Sequence, residues 1–491
     1  MQNKLKKINP FVGIVAIIYV FLGILTLNNC YFWDVIQQIS NEAHWYFYTN
    51  FNHLLVVPDN EYQIVSTGYH PPFMGIITAF LWKIFGYKLY VSHLFSFFWA
   101  VLLIFHTHKL LQLFFSQKSA NWVFLILLLE PTVLTQFAIA SPDFILLTAF
   151  VIALRGIFEK KTGMLSVGIF FVCCINMRGV FLGGMLFIAN LYYNYIHLEK
   201  KNIFISFKKT ILPYLPILTV LIAYYVYYFM HQGWFFANSQ PGGHYEMPAS
   251  FNVIIRHLFE FILRSVENGR FIIWGLALWF LFVFIRRKEK RIFYQDNRIG
   301  MMMLFFFLMT GLYFLFVFIT QMPFSARYFS PQFFVLTILV ASFSVQYFHK
   351  EKLKYLLGVL LFFTLTGHCW IYPEKIAKSW EGTLAHVSYY SLREECFDYL
   401  EEQNINYKDV SAGFCLYGER GQIELKNHGK NIVSVQHIDE CTYFVYSNIS
   451  NVEDEIVDEL KSSGKWKPVK HFSKGVVFIT VYQRINGLAL K

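Results

Sequence analysis

Apolar residues dominate the first three quarters of this chain in eleven runs, at about 11–28, 89–114, 121–140, 143–158, 163–175, 179–196, 211–230, 271–286, 300–321, 328–348 and 353–372. Most approach the roughly 20 residues that a spanning helix needs. A twelfth stretch, Pro71–Gly86, is also apolar. Past residue 372 the pattern changes: 388–403 reads as an amphipathic helix, 441–449 as a strand, 451–463 as a charged helix and 475–484 as a buried strand. The expectation is an all-α polytopic membrane body over 1–372, with about 11 transmembrane helices and additional outer-surface helices. A C-terminal soluble α/β domain over 373–491 follows it.

Composition agrees with a membrane body. The chain is 56% hydrophobic and 20% aromatic, with 15% charged residues and a mean hydropathy of +0.42, too much apolar surface for one soluble core. Of the 28 Lys and Arg before residue 373, 21 fall in segments 1–10, 106–120, 155–162, 198–209, 286–298 and 349–354. Cytoplasmic loops retain basic residues, so this bias places the amino terminus inside and 373–491 outside. Counting Pro71–Gly86 as a crossing reverses everything after it, so it is expected to lie along the outer surface or to re-enter. Two long outer loops result, about 29–88 and 231–270. The first carries Trp33, Trp45, Tyr46, Tyr48, Tyr69 and Trp82, suited to an interfacial belt. The second is broken by Pro241-Gly242-Gly243. Lys4, Lys6 and Lys7 before the first run, with no small-residue cleavage pattern after it, read as an uncleaved anchor.

Several chemistries fall away here. The net charge of +11 does not imply nucleic acid, because the basic residues concentrate where positive-inside bias already requires them. The tail from 373 carries 17 acidic against 14 basic residues, a soluble balance. Cys173 and Cys174 fall in a helix, and the spacing of Cys396, Cys415 and Cys441 matches no zinc motif. No cofactor is implied; a divalent metal is left open, with no ligands to name.

What carries chemistry is a set of charges at the ends of apolar runs: Asp34, Glu42, His70, Asp143, Arg178, Arg270 and Arg327. Charge beside a bilayer costs roughly 2.5–3.5 kcal/mol at a helix centre, so a one-sided group implies use. Group transfer with inversion needs a carboxylate to take the acceptor's proton and cations to hold a leaving phosphate. Asp34, just beyond the first helix, and Glu42 are rival bases. Asp143 after Pro142 serves catalysis or caps a helix. Arg178, Arg327 and Arg270 suit a phosphate, or snorkel to the interface, and Gly179 permits close backbone approach to a ligand. His70 bonds a sugar hydroxyl or phosphate, or anchors a turn. Glu130, inside an apolar run beside Pro131, is either exposed to the outer cavity by the proline kink or a protonated structural acid, the second being the preferred reading.

The order Trp33-Asp34, Glu42-Ala43-His44-Trp45-Tyr46 and Gly68-Tyr69-His70-Pro71-Pro72-Phe73 resembles the first extracytoplasmic loop of GT-C glycosyltransferases. The branch is that of the protein O-mannosyltransferases and lipid A aminoarabinose transferases. Ser141-Pro142-Asp143, Asn176-Met177-Arg178-Gly179 and Ala326-Arg327-Tyr328-Phe329 with Pro331 are similar to later landmarks. The resemblance spans about 11–348 and implies a polyprenyl-phosphate sugar donor, a lipid, glycan or protein acceptor, surrounding membrane lipids and an outer-face acid. Asn41 stands where the family often has the first acid of an Asp-Glu pair, and His70 replaces a Lys or Glu before the paired prolines. A bacterial inner membrane with a periplasmic site is the expected setting. The rival functions are a lipid or solute transporter, which needs polar groups near the midplane and paired broken helices, and a membrane-anchored binding protein.

Overall fold

The computed structural model describes residues 9–55, 70–197, 202–233, 250–287, 296–320, 323–370, 380–426, 431–450 and 452–485. Gly68, Tyr69 and Pro241-Gly242-Gly243 lie outside the described residues.

Each apolar run becomes helix. In chain order these are α1 (Pro10–Thr26), α2 (Glu42–Tyr48), α3 (Phe73–Phe85), α4 (Leu89–Leu111), α5 (Gln117–Leu128), α6 (Pro131–Ala138), α7 (Pro142–Phe158), α8 (Thr162–Ile175) and α9 (Met177–His197). There follow α10 (Ile203–Ile211), α11 (Leu215–Gln232), α12 (Phe251–Val266), α13 (Phe271–Arg287), α14 (Asn297–Ile319), α15 (Ser330–Tyr347) and α16 (Lys350–Thr366). Among the described residues, five helices are long and apolar enough to cross a membrane, and up to seven if two bent pairs each count as one span. The expected eleven crossings exceed that, because several runs form helices of 17 residues or fewer. One bent pair is α5 and α6, which meet at 55° at Glu130-Pro131; Pro131 cannot continue the α5 ladder and instead opens α6. The other is α12 and α13, at 96°. At 13 residues α3 is about 20 Å long, short of a hydrocarbon core of about 30 Å.

The chain divides into two compact units. One comprises Met1–Ile24, Tyr69–Phe73 and Phe95–Gly367; the other Leu25–Gly68, Met74–Leu94 and His368–Lys491. In the first, every residue of α7 is buried. Its hairpin with α8 is close because a Cβ at Gly156 would lie 2.6 Å from the Leu165 backbone, and one at Gly168 2.5 Å from that of Ala153.

The second unit holds α2, most of α3, the helices α17 (Ser388–Glu402), α18 (Arg420–Glu424) and α19 (Asp454–Ser462), and a six-stranded sheet. The strands are β1 (Val410–Ala412), β2 (Gly418–Glu419), β3 (Asn431–Ser434), β4 (Tyr443–Ser447), β5 (Trp466–Lys474) and β6 (Val477–Arg484), ordered β2-β3-β1-β4-β6-β5. β3, β1 and β4 run parallel, while β6 is antiparallel to both β4 and β5. The helix expected over 388–403 and the strand over 475–484 are α17 and β6. β5 escaped the sequence reading because it is a largely exposed edge strand with its register shift at Pro468, where an edge tolerates proline. Its Trp466 packs with Phe444, Tyr446 and Tyr482 against Val457 and Leu460 of α19. Two of the aromatics expected at an interface are core residues instead: Tyr46 and Trp82 are each 1% exposed.

Candidate functional site

Within the first unit, three charged residues far apart in sequence meet. Ser141 caps α7, accepting a bond from the Asp143 amide at 3.1 Å, and Pro142 takes the first helical position. Asp143 does more than cap. Its two oxygens lie 3.0 and 3.1 Å from Arg178 Nη2, and Arg327 Nε is 3.4 Å away. Asn176 donates to the same carboxylate at 3.3 Å while its side-chain oxygen accepts from the Gly179 amide at 2.9 Å. Asn176 is extended, breaking α8 from α9, and so delivers Arg178 in the first turn of α9.

Aromatic rings complete the cluster. The Arg178 guanidinium stands 3.8 Å above the Tyr328 ring and that of Arg327 5.2 Å from it. Tyr313, from the middle of α14, donates to the Tyr328 carbonyl at 2.8 Å. His70 joins from the other side: its Nδ1 accepts the Met177 amide at 3.2 Å, and its carbonyl accepts from Tyr224 at 3.2 Å. That bond requires a lone pair on Nδ1, so a neutral His70 carries its proton on Nε2. The proposed freedom at Gly179 has a different user than a ligand: a Cβ there would lie 1.8 Å from the Val172 carbonyl oxygen, so α8 and α9 approach where only glycine fits.

Arg270 sits apart from Asp143. It is 1% exposed, donates through Nε to Glu130 at 2.9 Å and through Nη1 to the Ala326 carbonyl at 2.6 Å. Glu130 also accepts the Val133 amide at 2.9 Å, capping α6. Glu130 therefore has the structural place expected of it, capping α6 and holding Arg270. Arg270 thereby holds the residue preceding Arg327.

Asp34 and Glu42 belong to the second unit. Asp34 is half-buried and follows Trp33, whose φ of 50° is left-handed. Glu42 opens α2 at 6% exposure. Burial pushes its carboxyl well above the ordinary range, against a smaller opposing effect of a backbone bond from Gly75. α3 packs against it so closely that a Cβ at Gly75 would lie 2.4 Å from the Glu42 Cβ. His44, two residues on in α2, is lowered to about 4 by burial and bonds the Ser40 carbonyl and the Tyr87 hydroxyl.

Each unit also has a cavity. In the first, an apolar groove of about 710 Å³ runs between α13, α14 and α15, lined by Trp274, Phe284, Phe306, Leu339 and Phe343 among others. In the second, a polar cavity of about 310 Å³ is lined by Asn28, Asn29, Tyr390, Glu394 and Glu424 among others. Among the described residues no group of three or more His, Cys, Asp or Glu is placed to hold a metal.

Asn176, Tyr328 and the arginines were visible as candidates or motif members. Tyr313 was not: it lies inside an apolar run and gave no signal. The Glu130–Arg270 pair joins residues 140 positions apart, and only Pro131 marked its place.

An apolar helical body joined to a small mixed sheet in one chain is an architecture shared with solved structures over nearly the whole chain. Two solved structures that share it are of ArnT, a lipid A aminoarabinose transferase, from Cupriavidus metallidurans. One, bound to undecaprenyl phosphate, matches with a TM-score of 0.52 at 11% identity over 98% of this chain and 99% of that one. The other, in the apo state, matches with a TM-score of 0.53 at 10% identity over 96% and 98%. No family model and no curated protein matches the chain. At this identity the likeness is one of fold.

Proposed function

We propose that this protein is an integral membrane glycosyltransferase that moves a sugar from a polyprenyl-phosphate donor to an acceptor at the extracytoplasmic face, with inversion. The observation that carries the reading is the convergence of Arg178, Arg327 and Asp143 in one buried cluster. Taking three ions out of water is costly, and such networks concentrate where charge is put to use. Planar guanidinium forks match a phosphoryl group's oxygens, and in a low-dielectric site they stabilise the charge that develops as the phosphate leaves. Asp143 aims both forks. Both of its oxygens are occupied by Arg178 and Arg327, which makes it a positioning residue in this reading. Arg270 supports Arg327 through the Ala326 carbonyl. His70 fixes the start of α9 beside Arg178, with Nε2 as a donor.

Asp34 is the base in this reading. Glu42 is nearly fully buried against α3, and burial raises its carboxyl well above the ordinary range, so it is the less accessible of the two acids. A single displacement follows: Asp34 takes the acceptor's proton, the acceptor oxygen attacks the anomeric carbon, and the polyprenyl phosphate departs. The fold shared with a protein that binds undecaprenyl phosphate supports a lipid-linked donor. So does the apolar groove along α14, the helix that also supplies Tyr313.

The transporter reading has one observation in its favour: two broken helix pairs whose breaks carry Glu130 and Arg270. Those two groups bond each other, and the likeness of the whole chain to ArnT favours the transferase.

The test is release of polyprenyl phosphate from a labelled polyprenyl-phosphate sugar by the purified protein. Asp34→Asn should lower transfer by roughly 10²–10⁴-fold with donor binding retained, and Glu42→Gln should be milder. Full transfer in Asp34→Asn with a dead Glu42→Gln gives the role to Glu42; no donor consumption under any condition removes the transferase reading.

A further inference from the structure

Asp34 stands on a segment that is fastened at both ends, all within the second unit. The Tyr31 amide donates to the Ile423 carbonyl at 3.0 Å, and the Ser40 hydroxyl donates to the Gln422 carbonyl at 2.5 Å. Between them Phe32 is fully buried, stacked on His386 at 4.7 Å and 21° with Tyr389 at 5.5 Å. Trp33 meets Phe414 edge-on at 5.7 Å.

The fastening has a physical origin in α18. A helix leaves its last carbonyls without intrahelical partners, and α18 is only five residues long, ending at Leu425 in the left-handed conformation. The carbonyls of Gln422 and Ile423 are such orphans, and the segment 31–40 supplies their donors. α18 is in turn locked to α17. Glu424 lies 2.7 Å from Arg420 Nε and 2.6 Å from Arg393 Nη2, with Arg393 wholly buried. A bulky residue holds a left-handed φ only where its surroundings over-determine it. Trp33 does so directly before Asp34.

We infer that the α17–α18 region is a positioning device for the catalytic loop: Phe32, His386 and the carbonyls of Gln422 and Ile423 set where the Asp34 carboxylate is presented. This rests on the reading of Asp34 as the base. It assigns the C-terminal part of the chain a role in turnover rather than in donor binding.

The experiment combines hydrogen–deuterium exchange with kinetics on the full-length protein. In the unmodified protein the Tyr31 amide should exchange at least about tenfold more slowly than the amides of the exposed residues His53 and Leu54; exchange at the same rate overturns the fastening with no variant needed. Phe32→Ala should speed Tyr31 exchange and lower kcat about 10- to 100-fold, the scale of an ångström-level misplacement, with donor KM within about twofold. Phe32→Leu, which keeps most of the packing, should recover most of both. His386→Phe, which keeps a ring on Phe32, should leave kcat nearer the unmodified value than His386→Ala does. Faster Tyr31 exchange in Phe32→Ala with unchanged kcat overturns the positioning role. Asp34→Asn separates the two layers: slow Tyr31 exchange with lost transfer supports the inference, whereas slow exchange with full transfer removes the base reading, and the positioning role with it.

Discussion

Glu42 and His44 lie two residues apart, both buried, and burial acts on them in opposite directions. The Glu42 carboxyl is raised well above 4.5 and the His44 imidazole is lowered from 6.5 to about 4, each chiefly by desolvation. For Glu42 the unfolded chain releases its proton first, so its contribution to stability is fully present below pH 4.5 and is lost as pH rises through the folded value. For His44 the unfolded chain binds a proton first, so its contribution is present above pH 6.5 and is lost as pH falls towards 4. Between about pH 4.5 and 6.5 the two slopes oppose. Glu42→Gln should therefore leave the histidine slope uncovered, and its melting temperature should climb more steeply with pH across that window than the unmodified protein's. Thermal unfolding in detergent at a series of pH values checks this; parallel curves would mean that Glu42 titrates normally. Arg178 admits a separate test. Arg178→Ala should lower transfer roughly 10²-fold, the scale of losing one preorganised donor to developing charge, and Arg178→Lys should recover only part of it, because an ammonium that meets Asp143 has no further planar nitrogens to present to a phosphate and stacks less well on Tyr328. Equal recovery by Lys would reduce Arg178 to a point charge.

Element by element, the sequence revealed what local rules govern and concealed what distant residues decide. Every apolar run is helical, and Pro131 and Asn176 mark real breaks, because proline removes a donor and an extended asparagine ends a ladder wherever they occur. The meeting of Asp143 with Arg178 and Arg327 was foreshadowed only as a shared sidedness, since nothing local specifies pairing across 184 residues of separation. The aromatic loop misled: an amphipathic belt and a packed core use the same residue types, and only the fold tells Trp82 from Tyr48, which is 68% exposed. Gly179 offers the sharpest test at this scale. A methyl group there would meet the Val172 carbonyl at 1.8 Å, a backbone atom that cannot rotate away. Gly179→Ala should push α8 and α9 apart, cost at or above the upper end of roughly 1–3 kcal/mol, and carry Arg178 off Asp143. Gly184, also in α9, has nothing within 4 Å of its added Cβ, so Gly184→Ala is the control that should leave melting temperature and transfer near normal. Similar behaviour of the two variants would separate the α8–α9 contact from the site.

For the whole molecule, the 21-to-7 division of basic residues proposes a cytoplasmic amino terminus and an extracytoplasmic C-terminal part. The obvious thiol probes of that orientation, Cys415 and Cys441, are buried, at 1% and 4% exposure, and an impermeant reagent would miss them on either side of the membrane. Cys369 is the exposed cysteine among those described, and it lies just past the end of α16, where the body gives way to the C-terminal part. Lys352, exposed near the start of the same helix, provides the opposite end. The helix between them is 17 residues, about 25 Å long, and carries no charge after Lys354. With the other cysteines removed, Cys369 should react with a membrane-impermeant maleimide in intact spheroplasts. A Lys352→Cys variant lacking Cys369 should react only after permeabilisation. The reverse pattern would turn the chain over and place the arginine cluster's segment ends on the cytoplasmic side. Reaction of both from outside would show that α16 does not cross, which would shift the inferred sidedness of everything after it while leaving the charge bias of the first 348 residues unexplained.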